Sequence, residues 1–152
     1  MAPMNAFLAL TGMETLALRM ERHCSNALAV AQWLRDHAKV AWVSYAGLDG
    51  DRYKPLADRY LGGHGGAVFT FGLKGGFEAG KALVSGVGMF SHLANIGDTR
   101  SLIIHPASTT HSQLSADELE AAGAGPDVVR LSVGIEHVDD IIADLDQALA
   151  QI

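Results

Sequence analysis

The stretch Val128-Val-Arg-Leu-Ser-Val-Gly134, running on into Ile135-Glu-His-Val-Asp-Asp-Ile-Ile142, decides the fold class of this 152-residue chain. Val129, Leu131 and Val133 alternate with Arg130 and Ser132, the two-residue period of a strand with one apolar and one polar face. Gly134 ends the run. The period then changes: Val138, Ile141, Ile142, Leu145 and Leu149 recur at helical spacing. Asp139 and Asp140 fall in the first turn of that helix, where the backbone dipole favours negative charge. A strand feeding a helix that must bury one stripe points to an α/β domain.

Working outward, the same two periods alternate along the chain. Ala67 to Leu73 sets Phe69, Phe71 and Leu73 on one strand face, with Val68, Thr70 and Gly72 on the other. Val40 to Tyr45 carries β-favouring bulk at Trp42, Val43 and Tyr45. Ser101 to Ile104 is a short apolar strand. Between them, Pro55 opens a short helix through Tyr60, and Gly75-Gly76 leads into a helix through Leu83 and Val84. Ser115-Ala-Asp-Glu118 has the spacing of a capping box. From Phe7 to about Asp36, Met13, Leu16, Met20, Cys24, Ala27, Ala31 and Leu34 share one face of a long helix. Gly12 marks the expected bend in it. Four strands with intervening helices predict a two-layer α/β sandwich preceded by this helix. The organisation expected is residues 1–37 as a connecting helix and 38–152 as the α/β domain. A long helix at the outset suggests a piece of a larger structure.

Composition narrows the function classes. The formal net charge is -6, and the 11 Lys and Arg residues are scattered. A nucleic-acid partner, which needs clustered cations, is not expected. No apolar run is long enough for a bilayer, so no membrane partner is expected either. The one cysteine, Cys24, has no partner for an internal disulfide and falls on a buried helical stripe, which favours the cytoplasm.

Arg130 is the most informative candidate. A guanidinium on the polar face of a strand offers a planar fork of donors suited to two-point binding of a carboxylate. An ordinary surface ion pair is the competing reading, and the commoner fate of an arginine. Gly62-Gly-His-Gly-Gly66 precedes a strand instead of a helix, the wrong order for a phosphate loop. His105 and His111 flank a polar loop without the further ligands that a metal site needs. Ser108, Thr109 and Thr110 satisfy that loop's backbone or line a pocket.

Taken together, several segments resemble the Cys/Met-metabolism family of pyridoxal-phosphate (PLP) enzymes, within it the sulfhydrylases acting on O-acetylhomoserine. They are Glu14-Thr-Leu-Ala-Leu-Arg-Met-Glu-Arg-His23, Ser91-His-Leu-Ala-Asn-Ile-Gly-Asp98, Ser101-Leu-Ile-Ile-His-Pro-Ala-Ser-Thr-Thr-His-Ser-Gln-Leu114 and Val129-Arg-Leu-Ser-Val-Gly-Ile-Glu-His137. The resemblance covers the C-terminal part of such an enzyme and implies a small, mainly antiparallel four-stranded sheet, the C-terminal domain of a fold-type I PLP enzyme. It implies that Arg130 binds the substrate α-carboxylate, that Asn95 supports the same carboxylate through backbone or side chain, and that Ser101 lies near the site. The activity implied is replacement of the acetate of O-acetylhomoserine by sulfide or a thiol, in a homotetrameric parent. Cystathionine γ-synthase and methionine γ-lyase are close alternatives, and a non-catalytic amino-acid-binding module is a more distant one.

The chain departs from the family at the cofactor. The family lysine that holds PLP lies in a Ser-x-x-Lys context. The lysines here are Lys39, Lys54, Lys74 and Lys81, preceded at that spacing by Asp36, Asp51, Phe71 and Glu78. No catalytic or cofactor-binding residue is therefore assigned. PLP is expected to be bound by the rest of the same enzyme, which is the partner implied beside the amino-acid substrate.

Overall fold

The computed structural model describes residues 1–152. Its first element is α1 (Pro3–Glu14), with proline in the first turn, where its missing N–H costs nothing. The long helix does not bend at Gly12, as its sequence suggests. It breaks at Thr15, whose φ of -103° and ψ of 8° interrupt the turn before α2 (Leu16–Asp36) begins. Arg19 spans the break, donating to the carbonyl of Gly12 at 3.0 Å and to the hydroxyl of Thr15. Those acceptors hold the junction where glycine flexibility alone would not.

Four strands follow: β1 (Val40–Ser44), β2 (Val68–Leu73), β3 (Leu102–Ile104) and β4 (Val128–Ser132). They form one sheet in the order β1-β2-β4-β3, every neighbouring pair antiparallel. Between them lie α3 (Lys54–Tyr60), α4 (Gly76–Gly86), a 3₁₀ turn at Pro106–Ser108 and α5 (Ala116–Ala121), and α6 (Val138–Leu149) closes the chain. The capping box at Ser115 and Glu118 is formed in both directions.

The core lies on one side of the sheet. Phe69, Phe71, Leu73, Ile103, Val129 and Leu131 point into it, as the alternation in β2 and β4 requires. Three helices cover them: α2 through Ala27, Val30, Ala31 and Leu34, α4 through Leu83 and Val84, and α6 through Ile141, Leu145 and Leu149. This is the two-layer arrangement expected, and Cys24 is buried in it. The second half of α2 thus belongs to the core of the α/β unit. Its first turns do not: Met13 and Leu16, on the same predicted stripe, stay exposed, and α1 buries nothing. No helix is long and apolar enough to cross a membrane.

Candidate substrate-carboxylate site

The opposite face of the sheet carries the candidate site. Arg130 sits mid-strand in β4, opposite Thr70 on β2 and Ile104 on β3. Residues two apart on a strand share a face, so Ser132 joins this row. Its side chain is buried and its hydroxyl has no hydrogen-bond partner. At the other end Gly72 pairs with Val128. The Trp42 indole lies in the space that a side chain on Gly72 would fill, its N–H donating to Asp127 at 2.9 Å.

What marks Arg130 is the company it lacks. The chain holds 17 acidic residues, yet no carboxylate lies within ion-pair distance of this half-buried guanidinium. Its single hydrogen bond is a long one, from Nη2 to the backbone carbonyl of Asn95 at 3.4 Å. Arg100, by contrast, is held by Asp98, to which it donates from Nη2 at 3.0 Å and from Nε at 3.2 Å. That pairing holds the Asp98 carboxyl below its ordinary range, with the backbone N–H of Arg100 adding to it. Arg52 and Arg59 lie over the rings of Tyr53 and Tyr60. A guanidinium that keeps most of its donors free on a sheet surface can take an external carboxylate in fork geometry.

Asn95 is brought to Arg130 by the loop Ser91–Ser101. Its backbone carbonyl makes the contact, while its side-chain Oδ1 accepts from the N–H of Ile96. Ser101 is placed differently. It is fully buried, and its hydroxyl donates to Glu136 Oε2 at 2.9 Å and accepts from the N–H of Gly134 at 2.9 Å. With both capacities used inside the chain, Ser101 anchors the loop from behind and presents no free group to a ligand.

The other sequence candidates resolve into local structure. His105 is buried with Nε2 against the carbonyl of Pro126 at 2.9 Å and Nδ1 against the Ser108 hydroxyl at 2.8 Å. His111 lies by the Thr110 hydroxyl. Thr109 bonds the carbonyl of His105. The Gly62–Gly66 connection carries positive φ at Gly62, Gly63 and Gly66, which accounts for glycine there. Through His64 and Gly66 it also walls a cleft of about 460 Å³, with Ala17, Met20, Glu21, Cys24 and Leu61. That cleft has no lysine or arginine in its wall, and Glu21 faces it beside His64, so it lacks the guanidinium fork that Arg130 offers a carboxylate.

Three residues of the site's surroundings were not legible beforehand. His23 and Asn26 sit buried on α2, where Nδ1 of His23 meets the carbonyl of Val133 at 2.6 Å and Asn26 Nδ2 donates to the carbonyls of Gly134 and Glu136 at 3.0 and 2.9 Å. Glu136 is the third. Polar residues at 23 and 26, three apart beside the apolar stripe, were the available signal for the first two.

Three of the four lysines are tied to groups of the chain itself. Lys39 bonds the carbonyls of Leu149 and Ile152, Lys54 pairs with Asp58, and Lys74 bonds the carbonyl of Ala38. No lysine lines the clefts beside α2 or the turn after β1. What the site can do by itself is bind and orient an anion.

Residues 1–150 match the family described as Cys/Met metabolism PLP-dependent enzyme. O-acetyl-L-homoserine sulfhydrylase 1 of Thermus thermophilus is 55% identical over 150 residues, which are 99% of this chain and 36% of that protein. Homocysteine synthase of Schizosaccharomyces pombe is 51% identical, over 97% of this chain and 34% of its own length. L-methionine gamma-lyase of Fusobacterium nucleatum is 46% identical, over 100% and 38%. The solved structure of an O-acetylhomoserine (thiol)-lyase from Campylobacter jejuni, which carries N′-pyridoxyl-lysine-5′-monophosphate, superposes with a TM-score of 0.90 at 44% identity, over 99% of this chain and 36% of that one. The chain spans about a third of the length of the relatives it matches.

Proposed function

Since the chain belongs to the Cys/Met metabolism PLP-dependent enzyme family, we propose that it serves such an enzyme as the domain that grips the substrate's α-carboxylate. The parent reaction we assign is exchange of the acetate of O-acetylhomoserine for sulfide or a thiol, in the cytoplasm and within a homotetramer. The observation that carries the carboxylate role is the unpaired guanidinium of Arg130 on the open face of the sheet, with the Asn95 carbonyl beside it. The names of the Thermus thermophilus and Schizosaccharomyces pombe relatives support the choice of substrate.

Arg130 would act by position. Two parallel charge-assisted hydrogen bonds fix both the distance and the plane of a carboxylate, and holding a substrate in one orientation lowers the entropic part of the barrier. The cofactor, held by the remainder of the enzyme, supplies the electron sink that the side chains here lack. That remainder is also the partner we assign to α1, where Met4, Phe7, Leu8 and Leu10 are exposed around the helix. Contiguous apolar surface of this kind marks an interaction site.

The test is to place Met1–Ile152 in the Thermus thermophilus sulfhydrylase in place of the matching segment. The chimera is expected to bind PLP and release acetate in a sulfide-dependent way. Hydrogen bonds to charged groups contribute about 1.5–3 kcal/mol, and each 1.4 kcal/mol is tenfold. Arg130→Ala should therefore lower kcat/KM for O-acetylhomoserine roughly 10- to 100-fold. An unchanged value would overturn the carboxylate role. Methanethiol release from methionine, in place of acetate release, would move the assignment to the γ-lyase. The 152-residue chain alone, given PLP and borohydride, should retain no stoichiometric pyridoxyl-lysine.

A further inference from the structure

We infer that Glu136 is a positioning residue for the carboxylate site, acting through Ser101 and the loop that carries Asn95; the inference rests on the reading of Arg130 above.

The loop from Ser91 to Ser101 is closed at its base. The N–H of Ser91 donates to the carbonyl of Ser101 at 3.0 Å, and the N–H of Ile103 to the carbonyl of Ser91 at 3.1 Å. From this base the loop reaches out to put the Asn95 carbonyl against Arg130. What fixes its returning limb is Glu136. One carboxylate oxygen accepts the backbone N–H of Ser101 at 2.7 Å, and the other accepts the Ser101 hydroxyl at 2.9 Å. The hydroxyl in turn accepts the N–H of Gly134 at 2.9 Å, and one residue on, the N–H of Ile135 donates to the carbonyl of Thr99 at 2.9 Å. Each donor on this limb that meets the carboxylate is neutral, so the charge of Glu136 strengthens both bonds.

Two features show that the surroundings are built for this carboxylate. A Cβ on Gly134 would strike Glu136 Oε2 and the backbone at Thr99 and Arg100, so glycine leaves room for the clamp. The backbone of Glu136 is itself tied to the core helix, because Asn26 Nδ2 donates to its carbonyl. The path therefore runs from α2 through the exit of β4 to Ser101, then along the loop to Arg130. Glu136 makes no hydrogen bond or ion pair with Arg130 or Asn95, so its influence on the site is transmitted by the loop.

The chimera provides the test, with Glu136→Ala, the milder Glu136→Gln, Arg130→Ala and the double variant Glu136→Ala/Arg130→Ala. Glutamine keeps an acceptor for the Ser101 N–H and loses the carboxylate acceptor for the hydroxyl. Glu136→Ala is expected to raise KM for O-acetylhomoserine about tenfold, with Glu136→Gln between it and the parent and KM for sulfide unchanged in both. In the Arg130→Ala background the Glu136 effect should vanish, because residues that act through one another are not additive. A fold-level role would instead shift both KM values, or persist in that background, and either result would overturn the inference. So would a silent Glu136→Gln, which also decides the matter if the alanine variant does not fold. If Arg130→Ala is itself silent, the carboxylate reading falls and takes this inference with it. If Arg130→Ala acts and the Glu136 variants do not, only this inference falls.

Discussion

A charged side chain at the surface is informative through its partners, and the site shows this with two arginines. Arg130 has no acid, whereas Arg100 has its own in Asp98. The Arg100 side chain and backbone N–H together lower the Asp98 carboxyl. For an acid whose pKa is depressed by folding, the stabilising contribution is complete above the unfolded value and is lost as pH falls through the folded one. The Asp98–Arg100 pinch is therefore expected to survive down to the ordinary aspartate value of 3.8 and to open only below it. Carbon-detected titration of the Asp98 carboxyl would check this, and a midpoint at or above the ordinary value would contradict it. Arg130 was legible in the sequence because strand alternation placed it on the polar face and the flanking Leu-Ser-Val-Gly-Ile-Glu resembled a known motif. Glu136 lay inside that motif without a role, since its work depends on Ser101, 35 positions earlier. The resemblance set Ser101 near the site, but its complete burial is a property of packing that no local pattern carries.

At the scale of elements, α2 does two jobs. Its second half fills the core, and His23 and Asn26 hold the segment where β4 ends. Asn26→Ala would leave the carbonyls of Gly134 and Glu136 without their donor. A buried acceptor left unsatisfied costs about 1–3 kcal/mol, so a loss in that range is expected from urea unfolding. Faster amide exchange should appear first at Ile135 and Ser101, which lie downstream of the lost bonds. A uniform increase across α2 and the sheet would instead mean that the helix itself had loosened. The elements were largely readable because their periods are local: both helical stripes and the alternation in β2 and β4 follow from side-chain direction alone. The strand order β1-β2-β4-β3 was not read, since it sets β4 between strands that precede it in the chain. The break at Thr15 escaped for a similar reason. Glycine is the local sign of a bend, whereas this break is held by Arg19 reaching back across a turn.

At the scale of the molecule, two surfaces have different physical standing. The sheet face of Arg130 is partly covered by the Ser91–Ser101 loop, and its polar Arg130 and Thr70 remain half-exposed to water. α1 is otherwise: Met4, Phe7, Leu8, Leu10 and Met13 are each more than half exposed, and they surround the helix instead of forming one stripe. A helix that is apolar all round is characteristic of a buried element. In water such a surface lowers its free energy by meeting another apolar surface, and for the isolated chain the nearest one is a second copy. Sedimentation velocity is thus expected to show concentration-dependent self-association of the 152-residue chain. Phe7→Glu combined with Leu10→Glu should shift it toward monomer. Because neither residue is buried, the same pair should leave the unfolding free energy of the α/β unit within about 0.5 kcal/mol of the parent, as for surface substitutions generally. A chain that stays monomeric at all concentrations would show that α1 finds its cover within one molecule. Self-association that survives both substitutions would move the contact away from α1, and with it the docking surface assigned to the cofactor-bearing remainder.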